Sequence, residues 1–265
     1  MLNGLTAPVP FTILVQGQDK KPLVLKFYLF HDLPQLGMNF TCRYFVLRLL
    51  GAAAFRLLDV GAPRTGTQSM YTAMQILGLK PLHSGYQQDS RDALCGYLFG
   101  DSVANRSLDD ALATLDGFDA AMDEPFMLFY EEVMAAFPDA KFLLTPSDAE
   151  SWYQNAVEVV GRSDPSIAAG RPSYWFECTA ERSWGCKFHF PGVGKAECLQ
   201  NYNKHIDRVQ EVIPPERLLV YNWSDGWAPL VHFLGLPVPE EDFPHVDEVR
   251  DTLDARDWLT DIFAR

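Results

Sequence analysis

The sequence predicts an α/β protein with a parallel central sheet flanked by helices. From Leu57 onward, short apolar runs alternate with stretches of helical periodicity, the order that builds parallel sheets. The stretch LLDVGAPRTGTQSMYTAMQILG, Leu57 to Gly78, runs from an apolar strand into a glycine loop and then a helix, and on such sheets ligands sit beyond the carboxyl ends of the strands. With 265 residues, 48% of them hydrophobic and 22% charged, the chain can bury the core of one sizeable domain.

Residues 11–30, FTILVQGQDKKPLVLKFYLF, read as two apolar strands around a polar turn, a β-hairpin. Residues 1–55 form an N-terminal extension and residues 56–265 the α/β domain. Leu57, Leu58 and Val60 make the first strand of that domain, and Met70, Met74 and Leu77 recur at helical spacing. Helices are expected near Ser69–Leu77 and Ser107–Leu115, a strand over Phe118–Met122, a helix over Phe126–Phe137, a strand over Lys141–Thr145 and a helix over Ala149–Val160. Residues 161–194 break the rhythm. They are rich in Gly, Pro and Ser and include Tyr174, Trp175, Phe176, Trp184, Phe188 and Phe190, which suit a lid over a planar apolar substrate or an ordinary packed excursion equally well. Helical spacing resumes in CLQNYNKHIDRVQEVI, RLLVY reads as a strand, GWAPLVHFLGL as a helix, and an acidic helix closes the chain after Pro244.

The formal net charge of −13 argues against non-specific binding to nucleic acid or anionic membrane surfaces, so an anionic ligand needs a local cluster of donors. Residues 1–58 carry six Lys/Arg against two Asp, and the acid lies almost wholly in the remainder. Cys42, Cys95, Cys178, Cys186 and Cys198 are scattered without C-x-x-C spacing, which predicts reduced thiols and a cytoplasmic setting. His189 between Cys186 and Cys198 is a weak hint of zinc, and no metal site is assigned. The most apolar window, Tyr44 to Ala62, is interrupted by Arg48, Arg56 and Asp59, so no membrane span is expected.

The loop itself suggests a ligand. Gly61 and Gly66 allow backbone N–H groups to converge, and the positive end of the following helix adds to their pull on an anion. A nucleotide triphosphatase loop reads G-x-x-x-x-G-K-[ST], with its Lys on the terminal phosphates and its hydroxyl on magnesium. Here the glycine spacing is kept, but Thr67 and Gln68 follow, and the cation is Arg64 inside the loop. The pattern fits a phosphate and not an ATP–magnesium site. An ordinary glycine turn remains the alternative at this point.

Three separated segments point one way. GAPRTGTQSM resembles the loop that binds the 5′-phosphosulfate in sulfotransferases, P-[KR]-[ST]-G-T, and FPDAKFLLTPSDAESWYQN is similar to their P-D-A-K-h-I-L-T-V-R-D-P-x-x-W-x-x-S segment. PPERLLVYNWSDGWAPLVHFLGLPVPEEDFPHVDE is similar to the C-terminal signature of the sulfotransferase-like P-loop proteins common in fungi and algae. The resemblance spans about residues 57–250 and implies a three-layer P-loop fold. It also implies transfer of a sulfuryl group from 3′-phosphoadenosine-5′-phosphosulfate (PAPS) to a hydroxyl or amine of a small acceptor, without a metal.

On that resemblance Pro63, Arg64, Thr65, Gly66, Thr67, Gln68 and Ser69 hold the 5′ end of the co-substrate, with Arg64 also meeting charge on the leaving phosphate. The family base follows the second strand, which places Asp123 of MDEP at that position, with His83 of KPLHSG as a second candidate. Asp123 and Glu124 read equally well as caps for the helix after Pro125. One departure stands out. The family holds the 3′-phosphate with the Arg of V-R-D-P and with a Ser further along, and here those positions are Ser147 and Asn155. Two rivals follow: a non-catalytic binding protein of the sulfotransferase fold, and a P-loop kinase or nucleotide hydrolase, for which the Lys after Gly66 is missing.

Overall fold

The computed structural model describes residues 9–16, 22–29, 55–83, 88–100, 106–163, 180–188 and 190–246. Strands β1 (Val9–Gln16) and β2 (Pro22–Leu29) pair antiparallel, Val9 opposite Leu29 and Gln16 opposite Pro22, as the hairpin pattern predicts.

Five short strands make an all-parallel sheet: β3 (Leu57–Asp59), β4 (Pro81–His83), β5 (Ala120–Met122), β6 (Lys141–Leu144) and β7 (Leu218–Val220), in the order β4-β5-β3-β6-β7. β3 is central, with Leu58 opposite Ala121 on one side and Phe142 on the other. Successive strand residues point to opposite faces, and both faces are covered. Leu58, Leu82, Ala121, Phe142 and Leu144 face one layer, built on α2 (Gln88–Phe99), α3 (Leu108–Ala113), α4 (Tyr130–Ala136) and the end of α6 (Lys195–Val212). Leu57, Ala120, Met122 and Leu143 face the other, built on α1 (Thr67–Ile76) and α7 (Trp227–Leu234). The expected α/β fold with a parallel sheet between helical layers is therefore observed.

Most differences from the sequence reading lie at element ends. α3 begins at a capping box, the Ser107 hydroxyl accepting from the Asp110 amide while the Asp110 carboxylate accepts from Ser107 N–H. The helix expected over Phe126–Phe137 is split into a tight 3₁₀ turn, Phe126–Leu128, and α4. β4 and α2 were not expected. β4 is an edge strand of three residues that begins on a proline, a position where the missing N–H is tolerated, and α2 hides behind the polar sequence QDSRD. The acidic helix expected after Pro244 is not begun at residues 245–246, and the rest of it falls outside the described residues.

α5 (Ala149–Ser163), α6 and residues 180–188 enclose a third apolar cluster. Trp152 stacks on Tyr202 with ring centroids 4.3 Å apart, and Trp184 and Phe188 meet Trp152 edge-on. Two of the six aromatics of the irregular insertion are thus core residues. Phe190 is exposed, and Tyr174, Trp175 and Phe176 lie outside the described residues. The expectation of reduced thiols is corrected here: Cys186 and Cys198 form a disulfide. The chain after Trp184 doubles back through Gly192 and Gly194 to start α6, which brings the two Cα atoms to 4.8 Å, a closure that their separation in sequence does not announce. Among the described residues no helix is long and apolar enough to cross a membrane.

Candidate functional site

The loop between β3 and α1 is fixed from three sides. A Cβ on Gly61 would lie 2.1 Å from Thr145 Oγ1, so only glycine lets the loop pass the end of β6. Gly66 has φ 96°, and a Cβ there would fall 2.2 Å from the indole ring of Trp223. Arg64 also takes a left-handed conformation, φ 69°. The loop carbonyls are held by side chains: Ala62 accepts from the Thr65 hydroxyl at 2.6 Å, Pro63 from the Trp152 indole at 2.8 Å, and Thr65 from the Trp223 indole at 2.7 Å. The Thr65 amide turns back to Ala62 O at 3.3 Å. No side chain caps α1, so its first-turn amides keep their affinity for an anion.

The loop forms one wall of a cleft of about 430 Å³. Arg64, Thr65, Gly66 and Ser69 come from the loop and from α1, Pro146 and Ser147 from the end of β6, and Asn155 from α5. Trp223, His245 and Val246 complete the lining. Arg64 Nε donates to Asn155 Oδ1 at 3.1 Å. The Tyr202 hydroxyl fixes Ser147 by accepting from its amide at 2.9 Å and donating to its carbonyl at 3.0 Å. Val246 N–H donates to Ser69 Oγ at 2.9 Å, laying the C-terminal strap along the start of α1.

A buried polar group adjoins the loop at the ends of β4 and β5. His83 Nε2 is 3.2 Å from Thr67 Oγ1, and its Nδ1 is 3.6 Å from Asp123 Oδ2. Burial pulls the His83 pKa below its ordinary value, and the Asp123 charge only partly offsets this. Asp123 has φ 73° and is nearly buried, and the adjacent Glu124 accepts from the Trp184 indole. His205 on α6 is also buried, its Nε2 2.8 Å from the Val60 carbonyl, and burial lowers its pKa too.

Comparison with known proteins identifies the family. The family model described as Sulfotransferase domain matches residues 56–252. The chain belongs to the sulfotransferase family. It is also similar to Ava biosynthesis cluster protein M of Aspergillus versicolor, 29% identical over 214 residues, which cover 72% of this chain and 80% of that protein.

Within this sulfotransferase domain the residues singled out from sequence fall into two groups. Arg64, Thr65, Gly66, Ser69, Ser147 and Asn155 share the cleft. Thr67 has its hydroxyl 3.2 Å from His83 Nε2, while Pro63 and Gln68 contribute carbonyls, to Trp152 and to the Thr72 hydroxyl. Asp123 and His83, read from sequence as alternative bases, are neighbours. Neither Asp123 nor Glu124 caps the turn that follows, which has no side-chain cap.

Sequence reasoning missed Trp223, Tyr202 and Trp152, whose polar atoms hold the backbone of the site, and the buried carboxyl of Asp59. Trp223 had a readable signal: it follows β7 at the carboxyl end of a parallel strand, where ligands gather. Tyr202 had none, since it looks like any aromatic on the apolar stripe of a helix. Among the described residues no group of three His, Cys, Asp or Glu is arranged to hold a metal ion.

Proposed function

We propose that the chain transfers a sulfuryl group from PAPS to a hydroxyl or amine of a small acceptor. The observation that carries this reading is the uncapped start of α1 beside Arg64, opening on a cleft with Ser147 and Asn155 opposite. The donor set suits an anion that brings no metal, because the cation belongs to the loop. Gly66, which a side chain could not replace beneath Trp223, lets the backbone approach closely. Arg64, the first-turn amides of α1 and Ser69 would hold the 5′ end, and Ser147 and Asn155 would face the 3′-phosphate. PAPS supplies the activated sulfuryl group.

The residues divide the work as follows. Asp123 accepts the proton of the acceptor hydroxyl as its oxygen bonds to sulfur. His83, held neutral by burial between Thr67 and Asp123, orients that carboxylate and links it to the first residue of α1. Arg64 and the loop amides meet the charge that grows on the 5′-phosphate oxygen as the S–O bond breaks. The products are the sulfated acceptor and adenosine 3′,5′-bisphosphate.

A second reading has its own support. On the resemblance of FPDAKFLLTPSDAESWYQN to the family segment, Ser147 and Asn155 take the positions of its 3′-phosphate ligands, and a hydroxyl and an amide would replace a bidentate guanidinium contact and a hydroxyl. A binding protein that kept the fold and lost transfer would look like this. The cytoplasmic setting inferred from reduced thiols loses its basis with the Cys186–Cys198 bond. Calorimetry with adenosine 3′,5′-bisphosphate in EDTA, beside ATP with magnesium, separates the readings. Tight metal-free binding of the bisphosphate supports the sulfotransferase fold's own ligand, and turnover with PAPS then separates enzyme from binder. Preference for ATP–magnesium would sink both in favour of a kinase.

A further inference from the structure

Asp59 ends β3 directly beneath the anion loop, and the proposed transfer gives it no role. Its side chain is completely buried. Oδ1 accepts the Gly61 N–H at 2.9 Å, while Oδ2 has no hydrogen-bond partner among the described residues. The surroundings leave no slack: a Cβ on Gly61 would sit 3.0 Å from Asp59 Oδ1, 3.0 Å from Thr65 Oγ1 and 2.1 Å from Thr145 Oγ1. Carboxyl, glycine and two hydroxyls are therefore packed into one knot at the root of the loop, and a bare carboxylate oxygen there is expensive unless it carries a proton.

A neighbouring carboxylate pushes the same way. Asp123 beyond β5 acts on Asp59 electrostatically, and Glu124 follows it in the chain. His83 beside Asp123 and His205 on the Val60 carbonyl are both held towards neutrality by burial, and the loop above carries a cation, Arg64. Burial pushes the Asp59 carboxyl up to about 7, opposed by the Gly61 hydrogen bond and reinforced by Asp123. An anion entering the loop brings further negative charge to the far side of Gly61.

We propose that Asp59 is a positioning residue which couples the loop to protons: its neutral carboxyl anchors the Gly61 turn when an anion is bound, and its ionised form opposes binding. This inference rests on the reading of the loop as an anion site and is separable from the identity of the nucleotide. It predicts that binding of a fully ionised ligand above neutrality is accompanied by proton uptake, and that affinity falls as pH rises, by at most about tenfold per pH unit for one linked proton.

Two measurements on the full chain decide it. Carbon-13 NMR of the aspartate carboxyls, with the Asp59 resonance assigned through bonds, should show it titrating near neutrality in the free protein and moving upward on addition of adenosine 3′,5′-bisphosphate. Calorimetry at pH 8 in two buffers of different ionisation enthalpy should show proton uptake in the wild type that Asp59→Asn lacks, while the variant still binds. A resonance in the ordinary carboxylate range, one that ligand does not move, or equal uptake in the two proteins would overturn the proposal. If the bisphosphate does not bind, inorganic pyrophosphate replaces it as probe. Pyrophosphate binding with the same Asp59 response upholds the coupling and removes the nucleotide reading; failure of the folded wild type to bind either anion removes both.

Discussion

Arg64 reaches from the loop to α5, its Nε donating to Asn155 Oδ1 at 3.1 Å. An amide oxygen orients a guanidinium without adding a negative charge beside it. Asn155→Asp would convert this contact into an ion pair and is expected to weaken adenosine bisphosphate binding by about tenfold or more, with Arg64→Ala removing most of the affinity. Calorimetry on folded variants is the check. A dissociation constant unchanged in Arg64→Ala would dismiss the loop as the anion site.

At Ser147 the expected change is a gain. Its backbone is clamped by the Tyr202 hydroxyl and the residue lines the cleft, so a longer side chain can be grafted without moving the main chain. Ser147→Arg should tighten adenosine 3′,5′-bisphosphate by about ten- to a hundredfold, and barely change an analogue without the 3′-phosphate. An equal gain for both ligands would mean only that positive charge was added.

Asp123→Asn preserves shape and removes the basic carboxylate. Turnover should fall by about 10²–10⁴-fold while bisphosphate affinity holds. Asp123 carries positive φ, a conformation that Asn tolerates well, so the variant should fold. Activity retained in Asp123→Asn and lost in His83→Gln would move the base to His83.

The buried carboxyl and the buried imidazoles give stability opposite slopes with pH. Asp59 has its carboxyl raised from 3.8 to about 7, so between those values the unfolded chain ionises while the native state keeps its proton, and stability falls as pH rises through that window. Asp59→Asn should match the wild type near pH 4 and exceed it above pH 7, with a ceiling of about 4 kcal/mol. His83 and His205 are depressed below 6.5, so their contribution is present above that pH and is lost as acid protonates the unfolded chain. Denaturant melts at pH 4, 6 and 8 test both, and a pH-independent gap between wild type and Asp59→Asn would contradict the first.

How much of this was legible depended on the range of the signal. The β3–loop–α1 unit could be read because its apolar run, its glycines and its helical stripe are consecutive in the chain. The α6 stripe and β6 were equally local. β4 escaped because three residues beginning with proline carry no periodicity, and α2 because its polar start masks the buried Leu94 and Cys95. Arg64, Ser147 and Asn155, which line one cleft, could be named from the family resemblance. That His83 lies against Asp123, or that Trp223 closes over Gly66, depends on which strands are neighbours in the sheet, and no short stretch of sequence encodes that.

The two indoles that grip the loop have an optical consequence. Trp152 donates to Pro63 O and Trp223 to Thr65 O, flanking the residue that carries the cation, so two of the six tryptophans in the chain are wired to the backbone of the proposed anion loop. An excited indole responds to the polarity and hydrogen bonding around its N–H. Trp223, which also lines the cleft, should therefore change its emission when the loop fills, while Trp184, in the core on Glu124, contributes a steady background. On the proposed reading of the loop, Trp223 is a built-in fluorescent gauge of occupancy, readable without label or acceptor, and Trp223→Phe would silence it.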